Sequence, residues 1–113
     1  MRITTEKTAE TLVIHIEGQL DTAMVGEFEN EVTPLLQRSD QNVLIDFEKL
    51  EYISSVGLRS VLILAKEMKK KEKSLALCCL SETILEVFRI SGFDMIISIF
   101  PKLEEGLSFL KDK

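Results

Sequence analysis

The stretch VLIDFEKLEYISSVGL, residues 43–58, decides the fold of this chain. It opens with the nearly continuous apolar run of residues 43–47, which has the length of a β-strand. A strand without alternating polar positions is typical of the centre of a sheet covered on both faces. The following residues predict a short connector and then a helix that opens with Ser54, Ser55 and Gly57. The stretch therefore predicts a central strand that leads directly into a helix.

Four further stretches predict the other strands of the sheet. Residues 75–80 form a second uninterrupted apolar run. Residues 11–17 alternate between apolar and polar side chains, with His15 on the polar side, as in a half-buried strand. Residues 1–7 and 96–100 predict two shorter strands. The sequence thus predicts a sheet of about five strands.

Apolar residues recur at helical spacing between these strands and after the last one. The first predicted helix covers residues 23–37 and has its N-cap at Asp21 or Thr22. The second opens with the two serines and Gly57. The third lies between Ser81 and Gly92, and the last begins at Pro101. The resulting order is ββαβαβαβα. Strands that alternate with helices need crossover connections. We therefore expect an α/β fold with one central mixed β-sheet of about five strands packed with about four helices.

The composition fits one globular domain, residues 1–113, since 45% of the residues are hydrophobic. The net charge of -5 repels phosphate backbones, and Glu72 interrupts the lysines of residues 69–73, which predict a solvated helix end. We therefore expect protein partners and no direct nucleic-acid binding. No apolar run approaches the ~20 residues that span a bilayer, and the first residues lack a signal peptide's apolar stretch. These features predict no membrane insertion and a cytoplasmic location.

The residue types that are used in catalysis or cofactor binding form no recognisable pattern in this sequence. Cys78 and Cys79 are neighbours on a predicted strand, where successive side chains point to opposite faces, so we expect buried reduced thiols and no metal site. His15, the only histidine, lies far in sequence from any nucleophile. The glycines do not form a phosphate-binding loop. The chain is expected to be neither an enzyme nor a cofactor-binding protein.

The two serines at the start of the predicted second helix are the best candidates for function. The first N–H groups of a helix are unpaired and its dipole is positive there, so a serine caps this end and a phosphate is also stabilised there. Capping alone explains most serines at such positions. Gly57 lowers helix propensity by up to ~1 kcal/mol, which fits either the close approach of another chain or a tight strand-to-helix junction.

Two motifs together resemble the STAS domains of anti-sigma factor antagonists. They are the turn Gly18-Gln19-Leu20-Asp21 and the segment DFEKLEYISSVGL from Asp46 to Leu58, and the resemblance spans nearly the whole chain. It implies a single STAS domain that works as a protein-binding switch. In this family, the unphosphorylated protein binds an anti-sigma factor, often its own serine kinase, and so releases a sigma factor. Phosphorylation breaks the complex.

The resemblance also implies the site residues and the partners. The family's acceptor serine lies two residues before the glycine, which corresponds to Ser55. Many members have Asp immediately before the acceptor, whereas Ser54 adds a competing hydroxyl at this position, so Ser54 is the second choice. The implied partner-binding residues are Asp21, Thr22, Ser54, Ser55, Gly57 and Leu58. The implied partners are an anti-sigma factor with serine kinase activity and a serine phosphatase that acts on the phosphorylated form. The alternative is a STAS subunit of a transport or lipid-trafficking assembly.

Overall fold

The computed structural model describes residues 1–113 as five strands, four helices and one 3₁₀ turn. The strands are β1 (Arg2–Lys7), β2 (Thr11–Leu20), β3 (Asn42–Ile53), β4 (Leu75–Cys78) and β5 (Ser98–Phe100). The helices are α1 (Val25–Arg38), α2 (Ser55–Lys70), α3 (Glu82–Ser91) and α4 (Leu103–Lys111), with the 3₁₀ turn at Phe93–Met95. The predicted order of elements and the mixed α/β architecture are confirmed.

The strands lie in the sheet in the same order as in the chain, β1-β2-β3-β4-β5. β1 and β2 form an antiparallel hairpin, and every later strand pairs parallel to its neighbour. The Thr8 hydroxyl closes the hairpin turn by accepting the N–H of Thr11 at 3.0 Å. The parallel pairs need helical crossovers, which α1, α2 and α3 provide.

The two faces of the sheet carry cores of very different size. The larger core packs α1, α2 and α3 against one face and contains large buried side chains such as Phe28, Phe47 and Phe88. The smaller core lies under α4 and consists of Leu44, Ala76, Cys78 and Leu110. Both faces of β3 are therefore covered along its first half, as its apolar sequence predicts.

Several predicted boundaries are wrong. β4 ends at Cys78 rather than at residue 80, β5 begins at Ser98 rather than at residue 96, and α4 begins at Leu103 rather than at Pro101. β3 continues to Ile53, whereas its second half was predicted to be a connector, and β2 continues past Gly18 to Leu20. Register shifts between β2 and β3 interrupt the alternation of buried and exposed side chains in this region, so the sequence here does not show the period of a strand. α1 begins at Val25, two residues late, and its N-cap is Met24 rather than Asp21 or Thr22.

The lysine-rich end of α2 also contacts the neighbouring helix. The Lys71 ammonium group donates hydrogen bonds to the carbonyl oxygens of Leu36 and Ser39, the latter at 2.7 Å. This cation satisfies carbonyls that the C-terminus of α1 leaves free. The lysine side chains before it, on Lys69 and Lys70, are exposed as predicted. None of the helices is long and apolar enough to cross a bilayer.

Candidate functional site

The candidate site is the junction where β3 ends and α2 begins. Ser54 is the N-cap of α2, and its Oγ accepts the N–H of Gly57 at 3.1 Å. The Ser54 N–H donates to the carbonyl oxygen of Leu20 at 2.9 Å, which joins this junction to the end of β2. The first turn of α2 contains no acidic residue. The positive end of the helix dipole is therefore not neutralised by its own side chains.

The two serines occupy different environments at this junction. Ser54 is half-buried and its hydroxyl is engaged as the helix cap. Ser55 is the first residue of α2, its side chain is exposed, and its hydroxyl makes no hydrogen bond within the protein. The Ser55 and Val56 N–H groups are among those that a helix leaves without intrahelical partners. An outward hydroxyl and free N–H donors thus occur together at Ser55.

The loop that carries Asp21 and Thr22 lies beside this junction, because it directly follows Leu20. The Asp21 carboxylate accepts the N–H of Met24 at 3.0 Å and so closes the turn that precedes α1. Asp21 therefore has a structural role and is half-buried, whereas Thr22 is exposed. The structure brings both predicted residues next to the serines, but only Thr22 is freely accessible.

Gly57 and Leu58, which the resemblance implied as partner contacts, are both buried in the structure. Gly57 is buried, and a Cβ there would lie 2.6 Å from the carbonyl oxygen of Leu20 and 2.9 Å from Leu20 Cγ. The close approach that needs this glycine is made by the chain itself, at the end of β2. Leu58 is only 5% exposed because it packs in the larger core.

Two large side chains outside the predicted set of partner contacts are exposed near Ser55. Tyr52 is 50% exposed at the end of β3, and Val56 is 45% exposed in the first turn of α2. Arg59, one turn further along α2, is also exposed. Val56 could have been found from helical periodicity, since it lies out of phase with the buried positions of α2. We call Thr22, Tyr52, Ser55, Val56 and Arg59 the Ser55 surface.

His15 lies outside the Ser55 surface, on β2, between two carboxylates. Its Nδ1 is 2.7 Å from Asp46 Oδ2, and its Nε2 contacts Glu6 Oε1. Burial alone lowers the pKa of His15, but the hydrogen bonds and charges of the two carboxylates outweigh burial and raise it above its ordinary value. Strand pairing brings these three side chains together, and their distance in sequence hid this contact.

The prediction that Cys78 and Cys79 point to opposite faces of a strand is wrong. β4 ends at Cys78, and Cys79 has a left-handed backbone with φ of 63°. This turn brings both sulfur atoms and a carboxylate oxygen of Asp46 within 4.8 Å of one another. Both thiols are free; Cys78 is buried as predicted, whereas Cys79 is half-buried. Burial raises the pKa of both thiols.

Comparison with known sequences identifies the family. Residues 2–106 match the family model of the STAS domain. BtrV of Bordetella bronchiseptica, named as an anti-sigma factor antagonist, is 37% identical over 101 residues, which is 89% of this chain and 84% of BtrV. This relative supports the prediction of an antagonist and not the transport alternative.

Solved structures share the fold over nearly the whole chain. A Thermotoga maritima protein described as an anti-sigma factor antagonist superposes with a TM-score of 0.91 at 15% identity, covering 96% of this chain and 94% of the other. The Bacillus cell fate determinant SpoIIAA, solved in its phosphorylated form, superposes with a TM-score of 0.71 at 25% identity, covering 95% and 97%. The chain belongs to the STAS domain family and, within it, to the anti-sigma factor antagonists.

Proposed function

We propose that this protein, in its unphosphorylated form, binds an anti-sigma factor through the Ser55 surface and thereby releases a sigma factor for transcription. A serine kinase, in the simplest arrangement the anti-sigma factor itself, phosphorylates Ser55 and ends the complex. A serine phosphatase removes the phosphate and restores binding. The antagonist name of BtrV and the phosphorylated form of SpoIIAA support this proposal.

The contrast between the two serines is the observation that carries the choice of Ser55. Its hydroxyl is exposed and free, so a kinase can reach it without opening the fold. The hydroxyl of Ser54 accepts the N–H of Gly57, and modifying it would remove a helix cap worth about 1 kcal/mol. We therefore assign Ser54 a structural role as the cap of α2 and Ser55 the role of phosphorylation site.

A phosphate on Ser55 is compatible with the protein's own structure. It adds about -1.5 to -2 charges at the positive end of α2, close to the free N–H groups of Ser55 and Val56. Arg59 lies four residues along the same helix, a spacing at which side chains of opposite charge meet. The phosphate thus finds positive groups on α2 itself, and the fold is retained.

The same phosphate is incompatible with a partner seated on this surface. Exposed Tyr52 and Val56 favour an apolar contact beside Ser55, and such a contact would bury the new charge. A loss of about 3 kcal/mol in binding free energy already weakens a complex more than about a hundredfold. One modified side chain is enough to end binding without a change of shape.

The test uses the full chain and the purified anti-sigma factor kinase encoded in the same genome, with ATP and Mg²⁺. We expect one phosphate per chain by intact mass, located on Ser55 by fragmentation. By isothermal titration calorimetry, Ser55→Ala binds and is not released by ATP, whereas Ser55→Asp loses at least about a hundredfold in affinity. Both variants keep the circular dichroism of the parent.

Ser54→Ala is the matched control, since it removes the neighbouring hydroxyl. We expect it to be phosphorylated and to bind, with a stability lower by about 1 kcal/mol from the lost cap. Phosphate located on Ser54, or full binding by Ser55→Asp, would contradict the proposal.

A further inference from the structure

A second group of reactive side chains lies on the face of the sheet that α4 covers, apart from the Ser55 surface. Asp46 on β3 is paired in register with Cys78 on β4, and Cys79 follows at once. The N–H of Cys79 donates to the carbonyl oxygen of Phe100 at 3.0 Å, which fixes the backbone that turns its thiol back. Two thiols and one carboxylate, from two strands, therefore converge on one point.

The spacing of these donor atoms matches a small tetrahedral metal ion. The two sulfur atoms and a carboxylate oxygen all lie within 4.8 Å of one another, and Cys78 Sγ is 4.0 Å from Asp46 Oδ1. Around Zn²⁺, bonds of about 2.3 Å to sulfur and about 2.0–2.2 Å to oxygen place ligand atoms about 3.6–3.8 Å apart. Small side-chain rotations would bring the donor atoms from their present distances to those required around Zn²⁺.

The surroundings provide an orienting partner for Asp46 and access for water. The second oxygen of Asp46 is 2.7 Å from Nδ1 of His15, whose other ring nitrogen contacts Glu6. Such a partner fixes the orientation of a metal-binding carboxylate. His15 and Asp46 also line an open cleft of about 410 Å³, which gives water access to the Asp46 side of the site.

We propose that Cys78, Cys79 and Asp46 bind one zinc ion, with a water molecule from the cleft as fourth ligand and His15 as the residue that positions Asp46. On binding, the S–H bond of each thiol breaks, its electron pair forms a Zn–S bond, and two protons leave to the solvent. Zn²⁺ binds both cysteine sulfur and carboxylate oxygen, and three protein ligands with one water is the arrangement of its open sites.

The two sulfur donors make the site selective for thiophilic ions. Soft thiolate ligands favour ions such as Zn²⁺, whereas Mg²⁺ and Ca²⁺ prefer oxygen ligands.

The test uses the reduced, metal-free full chain, titrated with Zn²⁺ against a chromophoric chelator and, separately, with Co²⁺. We expect one ion per chain, and with Co²⁺ the sulfur-to-cobalt charge-transfer absorption of a thiolate site, which Zn²⁺ then abolishes. Cys79→Ser is the principal variant because Cys79 is half-buried and its replacement disturbs the core least. It should lose that absorption intensity and at least about tenfold in zinc affinity.

Three further variants separate the roles. Asp46→Asn should weaken zinc binding at least as much as Cys79→Ser, and His15→Gln should weaken it by about 10–100-fold while retaining the cobalt–thiolate absorption. Asp94→Asn removes an exposed carboxylate elsewhere and should bind like the parent. Circular dichroism checks that each variant is folded. No cobalt–thiolate absorption in the parent, or unchanged zinc affinity in Cys79→Ser and Asp46→Asn, would overturn the proposal.

Discussion

Replacing Gly57 by alanine tests whether the junction between β2 and α2 is as tight as the structure shows. The added Cβ would lie 2.6 Å from the carbonyl oxygen of Leu20 and 3.2 Å from Ile53 Cγ1, where real Cβ contacts essentially never fall below 3.0 Å. That carbonyl accepts the Ser54 N–H, so relief of the clash stretches a hydrogen bond. Overpacking costs about 1–3 kcal/mol and a lost hydrogen bond about 0.5–1.5 kcal/mol.

Helix propensity acts in the opposite direction, because alanine gains up to about 1 kcal/mol over glycine within a helix. We therefore expect Gly57→Ala to lower the free energy of unfolding by about 1–3 kcal/mol and Tm by roughly 4–12 °C. Urea titration followed by circular dichroism measures this change in the free energy of unfolding. Gly26→Ala is the control, since nothing lies within 4 Å of its added Cβ and α1 gains stability. Equal or greater stability in Gly57→Ala would refute the reasoning.

Two further substitutions test the other polar contacts. His15→Gln should change how stability depends on pH. Because the pKa of His15 is raised in the folded protein, its stabilising effect is complete below about pH 6.5 and is lost as the pH rises through the pKa of the folded state. Urea midpoints of the parent should therefore fall on this rise more than those of the variant, and parallel profiles would contradict this. Buried Asn42 donates to the Leu110 carbonyl at 3.1 Å and accepts the Ser74 N–H at 2.9 Å. Asn42→Ala should lower the unfolding free energy by about 2–4 kcal/mol, against about 0.5 kcal/mol or less for exposed Asn30→Ala.

The sequence allowed the order of the elements to be predicted because most of them keep one period throughout. The first half of β3 is a nearly continuous apolar run, all of β4 is an uninterrupted one, and the helices show clear apolar stripes. The second half of β3 was missed because Glu48, Lys49 and Glu51 are exposed around a buried Leu50. A register shift against β2 produces this pattern, and only pairing with another strand reveals it.

The candidate site was predicted in part, for a similar reason. Local helix chemistry predicts a surface serine hydroxyl at the start of α2, whereas the choice of Ser55 over Ser54 depends on the family resemblance. The close approach of Leu20 to Gly57, by contrast, depends on how two strands end side by side. The convergence of Asp46 with the two cysteines depends on strand pairing and on one left-handed residue, Cys79. Contacts between distant segments are therefore the part that local patterns cannot provide.

The strand order has a consequence for synthesis on the ribosome. Because each strand lies beside the one made before it, a chain that emerges N-terminus first can extend the sheet at its growing edge, strand by strand. α4 is made last, and until then Leu44 and Ala76 lack their cover. A nascent chain that stalls before residue 103 would present this apolar strip to chaperones, so the emergence of α4 is the step that covers this face of the sheet.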